Sequence, residues 1–96
     1  MNLLPALAGV VVAIALAVPA HADTTAEHNY ITALHEEGIG GASDAAFIQA
    51  GYTICKDFDS GAGPVTETHK VMDNFQLVYA AAGYLVGDAR LNFCPS

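Results

Sequence analysis

Positive charge is what this 96-residue chain has least of: three Lys and Arg stand against ten Asp and Glu, a formal net charge of −7. A protein that neutralises phosphates needs a basic face, so nucleic-acid binding is excluded as a function class. Anionic lipid headgroups repel the chain for the same reason. Cysteine is scarcer still, with Cys55 and Cys94 alone, and no C-x-x-C spacing or third soft ligand accompanies them. A redox pair or thiolate metal centre is therefore not expected. The serines are Ser43, Ser60 and Ser96, none of them within a G-x-S-x-G frame, and Ser43 reads more simply as a helix cap. Glu36 and Glu37 are adjacent, so they diverge by ~100° around a helix and form no acid–base pair. A chain this short holds one core and offers little concave volume. These absences argue against an enzyme, and nothing here calls for a cofactor.

What is present begins with an apolar leader. Residues 1–22 carry no charged side chain, and Leu3 to Val18 is broken only by Pro5 and Gly9. Pro19-Ala20-His21-Ala22 follows, with small residues at the two positions that a signal peptidase reads, so cleavage is expected between Ala22 and Asp23. An uncleaved anchor competes, because the run approaches the ~20 residues that span a bilayer. The small-x-small site and the lack of basic flanks favour cleavage. The expected division is a signal peptide over 1–22 and a single domain over 23–96, secreted or held in the cell envelope, with no stable membrane insertion after cleavage. In an exported chain an even pair of cysteines reads as one disulfide. Closing the Cys55–Cys94 loop is worth ~4 kcal/mol in the chain-entropy model, a large share for a small domain.

The mature part shows helical punctuation four times and no convincing period of two. The first helix is predicted from about Thr25 to Glu37, with Tyr30, Ile31 and Leu34 on one face. Gly38 should end it in the left-handed conformation, with Ile39 folding back on the last turn. Ser43 or Asp44 caps a second helix, about Ala45 to Asp57, whose face is Phe47/Ile48, Gly51/Tyr52 and Cys55. Pro64 suits the first turn of a short third helix over Val65 to Met72. Asp73 or Asn74 should cap the last helix, about Phe75 to Asn92, with a stripe of Val78, Ala81/Ala82, Leu85/Val86 and Ala89. Gly83 and Gly87 on it are read as sites of close helix approach or slight bending. A bridge pins the ends of helices two and four together, so these two should form the core, with Leu85 buried and helix one covering the open side.

In this order and spacing the residues resemble a known family. The pattern is Tyr30, Leu34 and Gly38-Ile39, then Asp44, Phe47-Ile48, Gly51 and Cys55, then Gly61 and Val65. It closes with Ala81, Leu85-Val86, Ala89 and Phe93-Cys94-Pro95. The chain resembles the small exported actinobacterial, chiefly mycobacterial, proteins grouped as a domain of unknown function, DUF732. The resemblance covers nearly all of the mature chain and implies a compact all-α fold, a bundle of about four helices closed by Cys55–Cys94. It implies no activity and carries over no ligand residue. Phe58 stands where the family usually has Leu.

Candidate ligand residues come from side-chain chemistry. His28 and His35 are seven residues apart, ~10 Å along a helix, too far to chelate one ion. His69 and Asp73 are spaced i, i+4 and can meet. A zinc or copper site needs three or four converging ligands, so solvated surface histidines are the simpler reading, and no metal site is expected. The alternative function is a haem or metal carrier, for which Tyr30, His35, Tyr52, His69 and Tyr79 are the candidate ligands. Asp57-Phe58-Asp59-Ser60-Gly61 starts like a calcium loop but fails at Gly61, Ala62 and Thr68, and reads as an acidic turn ending a helix. The leading expectation is a small exported binding or envelope-associated protein, with a protein or apolar small molecule as its partner.

Overall fold

The computed structural model describes residues 23–95, and the expected leader lies outside the described residues. Four helices make up the described residues: α1 Thr24–Glu36, α2 Asp44–Asp59, α3 Pro64–Phe75 and α4 Tyr79–Phe93. Their starts follow elementary capping chemistry. The Asp23 carboxylate accepts from the Thr25 N–H at 2.9 Å, and the Ser43 hydroxyl accepts from the Ala46 N–H at 3.1 Å. Pro64 begins α3, where its missing N–H costs nothing.

The helix ends are equally local. At the end of α1, Gly38 adopts φ 77°, the Ile39 N–H donates to Leu34 O and the Gly38 N–H to His35 O. This paired closure satisfies the last carbonyls and folds Ile39, which is buried, onto Leu34. Gly61, at φ 100°, ends α2 in the same way, with Ala62 N–H donating to Asp57 O. The acidic stretch from Asp57 is thus a helix end, two residues later than the periodicity indicated.

The last third of the chain corrects the expected boundaries. α3 does not stop at Met72; it continues to Phe75, whose ring packs on Phe47 at 4.8 Å between centroids. The chain turns at Gln76, a non-glycine residue at φ 57°, and α4 starts only at Tyr79 with Val78 as its cap residue. Asp73 and Asn74 lie inside α3 and cap nothing. Val78 is 71% exposed, so it drops out of the predicted stripe. Tertiary packing of Phe75 outweighs the capping signal of Asp73-Asn74.

The core is centred on α4, which packs against all three other helices, most closely α2. Ala82, Leu85, Val86 and Ala89 are buried from α4, facing Phe47 and Ile54 of α2, Tyr30 and Leu34 of α1, and Val71 of α3. The Cys55–Cys94 disulfide joins the ends of α2 and α4, with a Cα–Cα distance of 5.2 Å. Phe93 is sandwiched between Tyr30 (4.7 Å between centroids) and Tyr52 (4.2 Å, stacked). Gly51 makes that sandwich possible, since a Cβ there would lie 2.5 Å from Phe93 Cε2. Gly83 and Gly87 play no such part: a Cβ at either would meet nothing within 4 Å. Phe58, the departure from the family pattern, has its ring under the Arg90 guanidinium at 4.8 Å.

Candidate ligand groove

α2 presents a second face, opposite the aromatic sandwich. Ala46, Gln49, Ala50, Thr53, Ile54 and Asp57 recur at helical spacing along it, and Glu67, Lys70, Val71 and Asn74 do the same on α3. Because Ala46 and Ala50 are short, the two helices enclose a groove of about 230 Å³ with Ile54 and Val71 as its apolar floor. That is somewhat below the usual size of a drug-binding pocket and suits a group the size of one side chain.

At one end of the groove lies the most unusual residue of the molecule. Glu67 is 1% exposed, and its Oε2 has no hydrogen-bond partner. Lys70 Nζ comes within 3.6 Å of that oxygen but donates instead to Asp57 Oδ2 at 2.8 Å. Burial raises the Glu67 carboxyl above the ordinary carboxylate range, and the adjoining Asp57 carboxyl raises it further. Asp57 moves the other way, held down chiefly by the hydrogen bond from Lys70. The lysine is raised in turn, first by that same bond. The cluster thus holds two carboxyls and one ammonium, with Glu67 Oε2 left without a hydrogen bond.

A second acid pair joins the end of α1 to α4. Glu37 is pushed up to about 7, first by desolvation, then by its hydrogen bond to Asp88 and the repulsion of Asp88 and Glu36. Asp88 Oδ2 is buried and finds no N–H or hydroxyl donor, so a protonated Glu37 is the donor available to that oxygen.

The residues singled out from sequence lie apart from the groove and mostly from each other. Tyr30 is fully buried, its hydroxyl donates to Phe47 O at 2.7 Å, and burial raises its pKa. Tyr52 is half-buried and its hydroxyl donates to Glu27 Oε2 at 2.9 Å. His35 is exposed, with Nε2 3.4 Å from Asp44 Oδ1. His69 and Tyr79 are also exposed and meet ring to ring at 5.8 Å. The structure brings together only that last pair, and no group of three or more His, Cys, Asp or Glu able to hold a metal occurs among the described residues. Both buried tyrosine hydroxyls are already committed to internal acceptors.

Glu67 escaped the sequence reading although a signal was present. Stepping back from Phe75 and Val71 by helical spacing lands on residues 68, 67 and 64, which makes Glu67 a core-facing position occupied by an acid. Asp57 was visible only as part of a failed calcium loop, because its partner Lys70 sits on another helix.

No helix among the described residues is long and apolar enough to cross a membrane. The family model described as "Protein of unknown function (DUF732)" matches residues 22–96. No curated protein and no solved structure matches the chain.

Proposed function

The chain belongs to the DUF732 family, whose function is unknown, and on that premise we propose that it is an exported binding protein that holds a partner's small group in the α2–α3 groove without transforming it. The observation that carries the reading is Glu67: a buried carboxyl with an unmatched oxygen, lining a groove whose apolar floor is Ile54 and Val71. A packed core gains nothing from such a group, since a hydrophobic residue of similar volume is usually at least as stabilising. A recognition site does gain, because a few placed polar groups beside an apolar floor are how small pockets orient what they bind.

Export is supported by the apolar segment ending in Ala20-His21-Ala22 and by the Cys55–Cys94 bridge, which belongs to an oxidising compartment. The mature protein is then released or retained in the envelope. A binding rather than catalytic role is supported by the groove's contents: its only titratable side chains are Asp57, Glu67 and Lys70, with no histidine, serine or thiol among them.

Two measurements test this reading. Expression of the full chain in a secreting host should deliver a protein whose intact mass begins at Asp23; recovery of the uncut chain from membranes alone would overturn export. A fragment screen by NMR should produce shifts clustered at Ala50, Ile54 and Val71. Fragments that shift only the Tyr79–Tyr84 surface, or nothing, would remove the groove as the working site.

A further inference from the structure

We infer that the groove between α2 and α3 selects an aliphatic cation, an ammonium or guanidinium group seated on Glu67 and Asp57 with its carbon chain along Ala50, Ile54 and Val71. The inference rests on the groove being the working site, as proposed above, and names the chemistry that the site selects.

Three observations carry it. The first is the unmatched oxygen. Glu67 Oε2 is buried and accepts no hydrogen bond, a costly state that an N–H brought in along the groove relieves. The second is charge. Two carboxyls face one ammonium at this end of the groove; Lys56 on α2 acts on Asp57 from one side, and no lining residue comes from α1 or α4. With both carboxyls ionised the cluster is left one positive charge short. The chain's net charge of −7 draws cations and repels anions at longer range. The third is shape. The short side chains of Ala46 and Ala50 leave a channel about 230 Å³ in volume, floored by Ile54 and Val71, which suits a run of methylenes.

Lys70 already shows the chemistry in an incomplete form. Its Nζ reaches Asp57 Oδ2 at 2.8 Å but stops 3.6 Å from Glu67 Oε2, because it is tethered three residues along the same helix. A free cation has no such tether. Its side chain is 53% exposed, so it can swing toward solvent without opening the core. Proton balance follows from the site. Burial raises the Glu67 carboxyl, so any proton it holds in the empty groove is lost to water when an arriving cation takes over the charge compensation. The cation can be a small organic amine or the side chain of a lysine or arginine in a partner polypeptide, since both present the same group.

The test uses the disulfide-bonded protein recovered after expression of the full chain, with n-butylammonium, n-butanol and n-butyrate as probes and an acetylated lysine tripeptide as the polypeptide probe. n-Butylammonium should shift the Ile54 and Val71 methyl signals and bind at least about tenfold more tightly than n-butanol, as a charge-assisted bond does. n-Butyrate should leave those signals in place. Affinity for the ammonium should rise as pH rises above the ordinary carboxylate range, with uptake of the ligand releasing up to one proton. Glu67→Gln should remove that pH dependence and weaken binding at least about tenfold, while Lys70→Met, which deletes the internal competitor, should tighten it. If Glu67→Gln does not fold, the pH profile of the unaltered protein and the Lys70→Met result decide the matter. The tripeptide binding far more tightly than n-butylammonium assigns a polypeptide source, and equal binding assigns a free amine; both support the proposal. Equal binding of n-butanol and n-butylammonium, or binding of n-butyrate through Lys70, overturns cation selection while leaving the groove as the site. Silence from every probe and from the fragment screen overturns both readings.

Discussion

On one side of α2, Gly51 lies so close to the Phe93 ring that a single added carbon would stand 2.5 Å from it; on the other, Ala46 and Ala50 leave about 230 Å³ open against α3. The first region is closed in every chemical sense. Tyr30, Phe93 and Tyr52 stack, both tyrosine hydroxyls have acceptors, and the disulfide ties the two helix ends beside them. The second region keeps a buried acid whose oxygen is unmatched and two charged neighbours that only partly compensate it. One helix thus serves a packed face and an unfilled face. The contrast shows that one helix can bury a fully matched aromatic face tied by the bridge while its other face keeps a cavity lined by charged groups.

Removing the bridge should have the largest effect. Replacing Cys55 and Cys94 by Ala is expected to cost ~4 kcal/mol and to lower the melting temperature by more than ~10 °C even if only half of that is realised. Thermal denaturation followed by circular dichroism measures it. A fall of only a degree or two would mean that the aromatic side holds without its covalent tie, and the contrast between the two faces would lose its main cause.

Next comes Gly51→Ala, which forces the Phe93 ring to move and should cost ~1–3 kcal/mol, as overpacking does. Gly87→Ala is the matching control on α4, because its Cβ would meet nothing within 4 Å. There the gain in helix propensity should stabilise by ~0.5–1 kcal/mol. Chemical denaturation of the two variants should therefore give opposite signs. The same sign for both would show that Gly51 is not a packing requirement.

The smallest effect concerns acid titration. Glu37 and Glu67 both bind their protons more tightly folded than unfolded. The folded state therefore carries more protons than the unfolded chain above the ordinary glutamate value of 4.5, and stability falls as pH rises from there to about 7. Asp57 acts in the opposite direction and only at lower pH: its depressed pKa contributes stability that is lost as pH falls through its folded value. Glu37 is exposed, and salt screens its repulsion, so its share should be no more than ~1 kcal/mol. Denaturation across this pH window with Glu37→Gln separates the pairs, since whatever slope survives belongs to the groove. A flat profile in the unaltered protein would mean that neither acid is held protonated.

Much of the fold was legible because its punctuation is local. Gly38-Ile39 and Ser43 are read within one turn of backbone, and the structure realises the expected closure and cap at both. The core pairing of α2 with α4 followed from two cysteines and a stripe, and Leu85 is fully buried as that pairing requires. The start of α4 was not legible, because Asp73 and Asn74 look like caps until Phe75 is seen packed on Phe47 from a helix more than twenty residues earlier in the chain. The roles of the glycines were half legible for the same reason. Gly51 marks a close approach, whereas Gly83 and Gly87 do not, and what distinguishes them is a ring arriving from elsewhere in the chain.

Sequence alone determined that there are four helices after the leader, the punctuation at Gly38-Ile39, Ser43 and Pro64, the single possible intramolecular bridge and the family. All of these depend on residues near one another in the chain, on a cysteine count of two, or on a pattern in order. Only the tertiary structure decided which polar groups are buried. Glu67 becomes an unmatched acid through the approach of α2, which brings Asp57 beside it and leaves Ala50 too short to fill the space. Burial and the charges that compensate it are properties of neighbours in space, and for Glu67 the deciding neighbours are on another helix.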